Sequence, residues 1–184
     1  MRPSHPANRP NPTKPTEREM SAHTRPDFFK GGTPDKTLPG YHGTMICTGC
    51  HAIWRRKRWH LEEEAYARLL ADPQATQVTC PACTKVERQD YDGVVTLKSP
   101  LVEAHAADLI GLLRNTEARV REGNPMARIA SLKAEGDTIE VLTITTALAD
   151  HLGRAVQHAY DGELVANQTD RSRFMRVMWH RGAS

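Results

Sequence analysis

Apolar side chains recur three or four residues apart in three stretches of the chain, which is the spacing of an amphipathic helix. The first stretch, residues 61–71, has three glutamates in its opening turn, where the helix dipole favours negative charge. The second follows Ser99-Pro100, an N-cap residue with proline at the first helical position, and runs to Gly123. The third covers residues 147–160 behind Thr146 as its N-cap. We therefore predict three helices.

Runs of β-branched or alternating residues flank these helices and predict strands. In the first half, one short strand leads into Cys47, a second covers Ile53–His60, and a return strand follows the helix at 61–71. The turn signal Glu135-Gly136-Asp137 predicts an antiparallel hairpin in the second half. The order of elements there predicts an α+β fold, with helices on one face of a small, mostly antiparallel sheet. The predicted strands of the second half are 94–97, 127–133, 138–145, 163–167 and 173–180.

The first forty residues differ in composition from the rest of the chain. They hold eight of the twelve prolines, and seven Lys or Arg against four Asp or Glu. Such a segment buries too little apolar surface to offset its conformational entropy, so residues 1–40 are predicted to be a disordered basic arm. The remainder carries eighteen charges of each sign, which excludes a globally basic nucleic-acid wrapper. We divide this remainder into two predicted domains, 41–93 and 94–184.

The overall composition, with 39% hydrophobic and 26% charged residues, is that of a globular protein. No uninterrupted apolar run approaches the ~20 residues of a membrane span, and the polar, proline-rich start is unlike the apolar centre of a signal peptide. We therefore predict a cytoplasmic protein without a membrane partner, in which cysteines stay reduced.

Four cysteines form two C-x-x-C pairs, Cys47-Thr-Gly-Cys50 and Cys80-Pro-Ala-Cys83, with 29 residues between the pairs. Tetrahedral Zn²⁺ takes four such thiolates, and each pair presents two sulfurs from one tight turn. A hairpin and the helix at 61–71 account for the long insert. The sequence therefore predicts a zinc ribbon over residues 41–93. Its zinc is structural, because a four-cysteine site leaves no position for a substrate.

Two other interpretations of the cysteines are a dithiol redox centre and a pair of buried disulfides. Redox motifs usually occur as a single C-x-x-C at a helix N-terminus, whereas both pairs here are predicted in strand-and-turn surroundings. His42, His51 and His60 lie nearby in the sequence. We expect them to stay outside the ligand set, because four cysteines complete it.

Four consecutive cations lie between two tryptophans just after the first cysteine pair. Guanidinium groups bind phosphates and indole rings stack on bases, so the segment is a candidate RNA contact. As one continuous strand, it would direct Trp54 and Trp59 to opposite faces. The alternative is a solvated hairpin whose tryptophans cover the zinc site. The candidate RNA-binding residues are Trp54, Arg55, Arg56, Lys57, Arg58 and Trp59.

No catalytic motif occurs in the sequence. It lacks the phosphate-binding loop G-x-x-x-x-G-K-[ST], the dinucleotide motif G-x-G-x-x-G, the metalloprotease motif H-E-x-x-H and the nucleophile elbow G-x-S-x-G. Its acidic residues show no pair placed for acid–base chemistry. We therefore predict a protein that is not an enzyme and has no small-molecule substrate.

The two cysteine pairs, the following helix and the segments Asp150-His-Leu, Asp161-Gly-Glu-Leu and Arg173-Phe-Met-Arg-Val resemble the nonsense-mediated-decay-three family of large-ribosomal-subunit export adaptors. The chain looks still closer to small bacterial zinc-ribbon proteins of similar length. The resemblance covers about residues 45–180. It implies N-terminal zinc-binding cysteines, a downstream α/β domain and association with the large ribosomal subunit. It does not imply export-adaptor function, because the larger relatives carry more cysteine pairs.

Together these patterns predict a four-cysteine zinc ribbon joined to a small α+β domain that binds ribosomal or other structured RNA. The alternative is a protein-interaction or transcription-associated zinc ribbon that contacts DNA or a polymerase. The two differ in their expected behaviour, because RNA binding through phosphates weakens steeply with salt, whereas a specific DNA reader discriminates between sequences.

Overall fold

The computed structural model describes residues 43–169 and 174–182 of the 184-residue chain. The predicted arm, residues 1–40, and Arg173 lie outside the described residues. The described residues form four helices and nine strands in two mixed sheets, so the predicted α+β class is confirmed. None of these helices has the length and apolarity that a bilayer crossing requires.

The first sheet is built from short strands around the two cysteine pairs. Its strand order is β3-β2-β1-β4, with β1 and β2 antiparallel, β2 and β3 antiparallel, and β1 and β4 parallel. Because a helix intervenes before β4, the chain returns in the direction of β1. The elements are β1 (Met45–Cys47), β2 (Ala52–Arg55), β3 (Arg58–Leu61), α1 (Glu63–Leu70), β4 (Thr76–Val78) and α2 (Pro81–Glu87).

The second sheet has the strand order β6-β7-β5-β9-β8. Its central pair, β5 and β9, is parallel, and the other three pairs are antiparallel. The sheet is thus mostly antiparallel, as predicted, and its one parallel pair joins strands that lie far apart in the sequence. The elements are β5 (Gly93–Lys98), α3 (Pro100–Gly123), β6 (Ile129–Glu135), β7 (Thr138–Thr143), α4 (Thr146–Tyr160), β8 (Glu163–Thr169) and β9 (Phe174–His180).

Helices α3 and α4 cover one face of the second sheet. Val95, Val141 and Val177 lie side by side across β5, β7 and β9, and all three are buried. They pack in one core with residues such as Leu109 of α3 and Leu152 of α4. Alternate strand residues point to the opposite, more exposed face, because side chains alternate along a strand.

The helix starts follow local capping chemistry. Ser99 is the N-cap of α3 as predicted, and its Oγ accepts a hydrogen bond from the Leu101 backbone N–H at 3.2 Å. The predicted N-cap of α4 is wrong by one residue. Thr145 has the extended backbone and its Oγ1 accepts from the Leu148 N–H at 3.4 Å, so Thr146 is the first helical residue. Helix α2 was not predicted.

Side chains of the second half pack against the cysteine region. A core cluster joins Cys47, Cys80 and Cys83 to Ile144, which follows β7. Lys85 of α2 donates to the Asp92 carboxylate at 2.6 Å and to the Ile144 carbonyl at 3.4 Å. Apolar packing and the hydrogen bond to the Ile144 carbonyl therefore connect the cysteine region to the second half. The proposed division at residue 93 stays a prediction.

Candidate metal centre and cationic hairpin

Two different local structures present the cysteine pairs. Cys47 ends β1, and the His51 backbone N–H donates to the Cys47 carbonyl at 2.9 Å, which closes the turn through Cys50. Cys80 is the N-cap of α2, with Pro81 at the first helical position and Cys83 in the first turn. The prediction that both pairs lie in strand-and-turn surroundings is therefore wrong for the second pair.

The four cysteine sulfurs form one cluster, in which all Sγ atoms lie within 4.8 Å of one another. The Sγ atoms of Cys47 and Cys83 are 3.7 Å apart, and those of Cys50 and Cys80 are 3.5 Å apart. A tetrahedron of thiolates at the Zn–S distance of about 2.3 Å has edges of about 3.8 Å. The cluster is therefore close enough to bind a metal ion, and all four cysteines are free thiols.

Hydrogen-bond donors surround these sulfurs. The backbone N–H of Cys80 donates to Cys47 Sγ at 3.3 Å, and that of Cys83 donates to Cys80 Sγ at 3.4 Å. Arg128, from the second half of the chain, donates through Nη1 to Cys83 Sγ at 3.2 Å. Hydrogen bonds to a thiolate stabilise its charged form, so these donors oppose the cost of burying the thiolates that bind a metal.

The pKa values of Cys50, Cys80 and Cys83 in the metal-free cluster are perturbed. The hydrogen bond with Cys80 lowers the pKa of Cys50 to about 5, and the same bond raises the pKa of Cys80. Burial raises the pKa of Cys83 to about 11. Cys80 and Cys83 of the metal-free cluster thus stay protonated at neutral pH. A metal ion that enters must displace these protons, because thiolates are the ligands.

The geometry argues against a redox dithiol, although Cys80 and Cys83 lie at a helix N-terminus where such motifs occur. In a redox motif the two sulfurs of one C-x-x-C react with each other. Here the short contacts join one pair to the other, Cys47 to Cys83 and Cys50 to Cys80. Cys47, Cys80 and Cys83 are also buried, unlike the partly exposed cysteines of reactive sites.

The histidines near the cysteines have other partners or lie outside the cluster. His51 Nδ1 lies 2.7 Å from Glu63 Oε1, and its ring stacks on Tyr66 with centroids 4.1 Å apart. His60 has a buried Nε2 without a hydrogen-bond partner and does not join the sulfur cluster. His42 lies outside the described residues. In the described part of the chain, the metal-binding cluster is composed of cysteines alone.

The cationic segment is a hairpin and not one strand. Strands β2 and β3 pair with Trp54 opposite Trp59 and Arg55 opposite Arg58. Arg56 and Lys57 form the two-residue turn, with φ values of 52° and 61°. The predicted alternation over Trp54–Trp59 is therefore wrong, because the chain reverses at this turn.

This reversal places both tryptophans on one face of the hairpin. Their ring centroids are 5.5 Å apart, with the planes tilted by 56°. Trp59 also packs against the cysteine cluster, as the hairpin alternative predicts. A shallow depression of about 480 Å³ lies beside Trp54 and the turn, and Gly43 and Thr44 complete its lining.

The cations of the hairpin differ in their partners. Arg55 forms an ion pair with Glu62, which offsets the repulsion from Arg58 directly opposite. Arg56, Lys57 and Arg58 are exposed. The glutamates that begin α1 follow β3 in the sequence, and their negative charge offsets the cations at that end of the hairpin. The net positive charge therefore lies at the tip of the hairpin.

Comparison with known proteins gives no match, either to a protein-family model or to a curated protein. The resemblance to the nonsense-mediated-decay-three family therefore stays a prediction.

Sequence reasoning missed Arg128 as a neighbour of the cysteines. It lies 45 residues beyond Cys83, and no spacing or motif connects the two positions. Only the packing of the segment before β6 against α2 brings them together.

Proposed function

We propose that the cysteine cluster holds a structural zinc ion. Three observations support this choice. The sulfur–sulfur distances are near those of a tetrahedral zinc site, and thiolates are soft ligands that suit zinc. In addition, three of the four sulfurs accept hydrogen bonds from backbone N–H groups or a guanidinium group. Four sulfur ligands occupy all positions of tetrahedral zinc. The metal then holds structure and performs no chemistry, in keeping with a protein that is not an enzyme.

We further propose that the zinc site supports a hairpin whose tip contacts ribosomal or other structured RNA in the cytoplasm. The observation that carries this proposal is the turn at Arg56 and Lys57. Two-residue hairpin turns with both φ values positive favour Asn-Gly, because other side chains are strained there. Two long cations occupy these positions instead, and retained strain of this kind is characteristic of functional sites.

The surroundings of the turn supply complementary chemistry. Arg56, Lys57 and Arg58 provide three exposed cations for phosphates. Trp54 lines the depression beside the turn, which places an indole next to these cations, whereas Trp59 packs against the cysteine cluster. Phosphate contacts fix position, whereas unstacked RNA bases fit aromatic faces. This combination favours RNA with accessible bases over duplex DNA.

The deciding experiment removes the cations without weakening the fold. Arg56→Asn combined with Lys57→Gly gives the turn its preferred residues, so thermal stability should stay the same or rise. RNA affinity should nevertheless fall, and the slope of log affinity against log salt should flatten by about 1.4 to 1.8, since each phosphate contact contributes ~0.7 to ~0.9. Arg119→Glu, at an exposed position of α3, is the control for a general charge effect.

Sucrose-gradient sedimentation of lysate with the tagged protein tests the ribosomal partner. The parent should migrate with ribosomal particles at low salt and leave them at high salt, and the turn variant should stay at the top of the gradient. If the variant and the parent bind RNA and ribosomes equally, the hairpin is a solvated face. The alternative, a zinc ribbon that contacts DNA or a polymerase, then replaces this proposal.

A further inference from the structure

Arg128 lies in the short segment between α3 and β6 and reaches the cysteine cluster from the second half of the chain. Its Nη1 donates to Cys83 Sγ at 3.2 Å. The residue is half-buried, and its neighbours Met126 and Ala130 pack against the cluster that contains Cys83. The guanidinium therefore meets the sulfur at a partly desolvated position, where electrostatic attraction is stronger than in water.

The backbone around Arg128 is fixed from two sides. The Ile144 N–H donates to the Arg128 carbonyl at 3.1 Å. The Ile129 N–H donates to Glu117 Oε1 at 2.8 Å, and Glu117 is itself buried and paired with Arg114 at 3.1 Å. Contacts from α3 and from the segment after β7 thus hold Arg128 in place. The position of its guanidinium is a result of the fold of the second half.

We propose that Arg128 is a positioning residue of the metal centre, held by the second sheet and acting on zinc through the Cys83 thiolate. Four thiolates and one divalent cation leave two negative charges in a largely buried site, and an uncompensated buried charge is costly. The guanidinium neutralises one of them and fixes the orientation of Cys83. This inference rests on the zinc site proposed above and is independent of RNA binding.

The test compares Arg128→Met, Arg128→Lys and the control Arg119→Met in the full chain. Methionine keeps much of the apolar stem but removes the charge and the N–H group that donates to Cys83. Competition against a chromophoric chelator should show a 10- to 100-fold lower zinc affinity for Arg128→Met, the usual effect of losing a partner of a metal ligand. Arg128→Lys should fall between it and the parent, and Arg119→Met should equal the parent.

A spectroscopic measurement separates this role from a merely structural one. In protein loaded with Co²⁺ at saturation, the sulfur-to-cobalt charge-transfer bands report the donor strength of the thiolates. Loss of the hydrogen bond to Cys83 should shift these bands in Arg128→Met but not in Arg119→Met. Because the spectrum is recorded on folded, loaded protein, lower stability alone does not reproduce the shift.

These measurements distinguish failure of the proposed role of Arg128 from failure of the proposed zinc site. If the parent takes up no zinc, the zinc site and this inference are both wrong. If the parent binds zinc but Arg128→Met retains both its zinc affinity and its charge-transfer bands, this inference alone is wrong. Lower thermal stability with unchanged bands at saturation also overturns it, since Arg128 would then be a packing residue only.

Discussion

Gly49 lies between the cysteines of the first pair, and one added methyl group there should weaken metal binding. A Cβ built at this position is 3.2 Å from Cys83 Sγ and 3.9 Å from Cys47 Sγ. Optimal contacts between carbon atoms are about 3.5 to 4.0 Å, and sulfur is larger than carbon. The Gly49 backbone is outside the left-handed region, so alanine fits the backbone itself. Gly49→Ala therefore tests only the close contact between the added methyl group and Cys83 Sγ.

The size of the effect follows from how far Cys83 can move. Its sulfur must shift by a few tenths of an ångström to accept the methyl group, whereas ligand distances in zinc sites hold to about 0.2 Å. Overpacking of this kind costs about 1 to 3 kcal/mol. Zinc affinity of Gly49→Ala should therefore fall by about 5- to 150-fold. The metal-free protein should change little, because its Cys83 side chain is not held by zinc.

Chelator competition at one fixed pH measures this difference. Gly111→Ala is the matched control, since a Cβ at Gly111 on α3 has no neighbour within 4 Å. It should bind zinc as the parent does. Equal zinc affinity for Gly49→Ala and the parent would refute the reasoning, because the four sulfurs would then not enclose the metal in the described geometry.

Three further results are expected. Gly153→Ala brings a Cβ into collision with Val177 Cγ1 in the core of the second sheet, and it should lower the free energy of unfolding by about 1 to 3 kcal/mol. Gly111→Ala should instead raise the free energy of unfolding by up to about 1 kcal/mol, and denaturant titration measures both changes. Metal-free protein should lose stability as the pH rises from about 9 towards 11. Burial raises the pKa of Cys83 from 9.0 to about 11, so in this range the folded state keeps a proton that the unfolded state releases. A loss of stability that is already complete below pH 9 would contradict this. Cys80→Ser should lose the metal, as elemental analysis would show, and a variant that retains full zinc would contradict the ligand assignment.

Elements with strong local signals could be predicted from the sequence. Ser99-Pro100 starts α3 because side-chain capping and a fixed proline φ act within one turn. Gly136, with φ of 54°, lies in the turn of the β6–β7 hairpin as its sequence indicates. The pairing of the cysteines into one cluster was also predictable, because ligand spacing reflects the metal and not the surrounding fold.

Features that depend on distant residues or on atypical turn residues could not be predicted from the sequence. The turn at Arg56 and Lys57 lacks the Asn-Gly signal, so the segment was predicted as a single strand. The parallel pairing of β5 with β9 joins strands about eighty residues apart, which no local pattern reports. Arg128 reaches Cys83 only through tertiary packing. Helix α2 was not predicted because it is only seven residues long, although Pro81 after Cys80 is a local signal for a helix start.

The strained hairpin needs a large stabilising term nearby, and the zinc ion proposed for the cysteine cluster is the candidate of sufficient size. Strands β1 to β4 have three or four residues each, and their apolar core on the α1 side contains four buried residues. His51, Arg56 and Lys57 have positive φ values that cost on the order of 1 to 3 kcal/mol each. A structural zinc contributes on the order of 10 kcal/mol. Chelation should therefore abolish RNA binding while every contact residue remains present, as filter binding before and after zinc is restored would show. If chelated protein keeps its RNA affinity, packing alone holds the turn, and zinc has no part in presenting the cations.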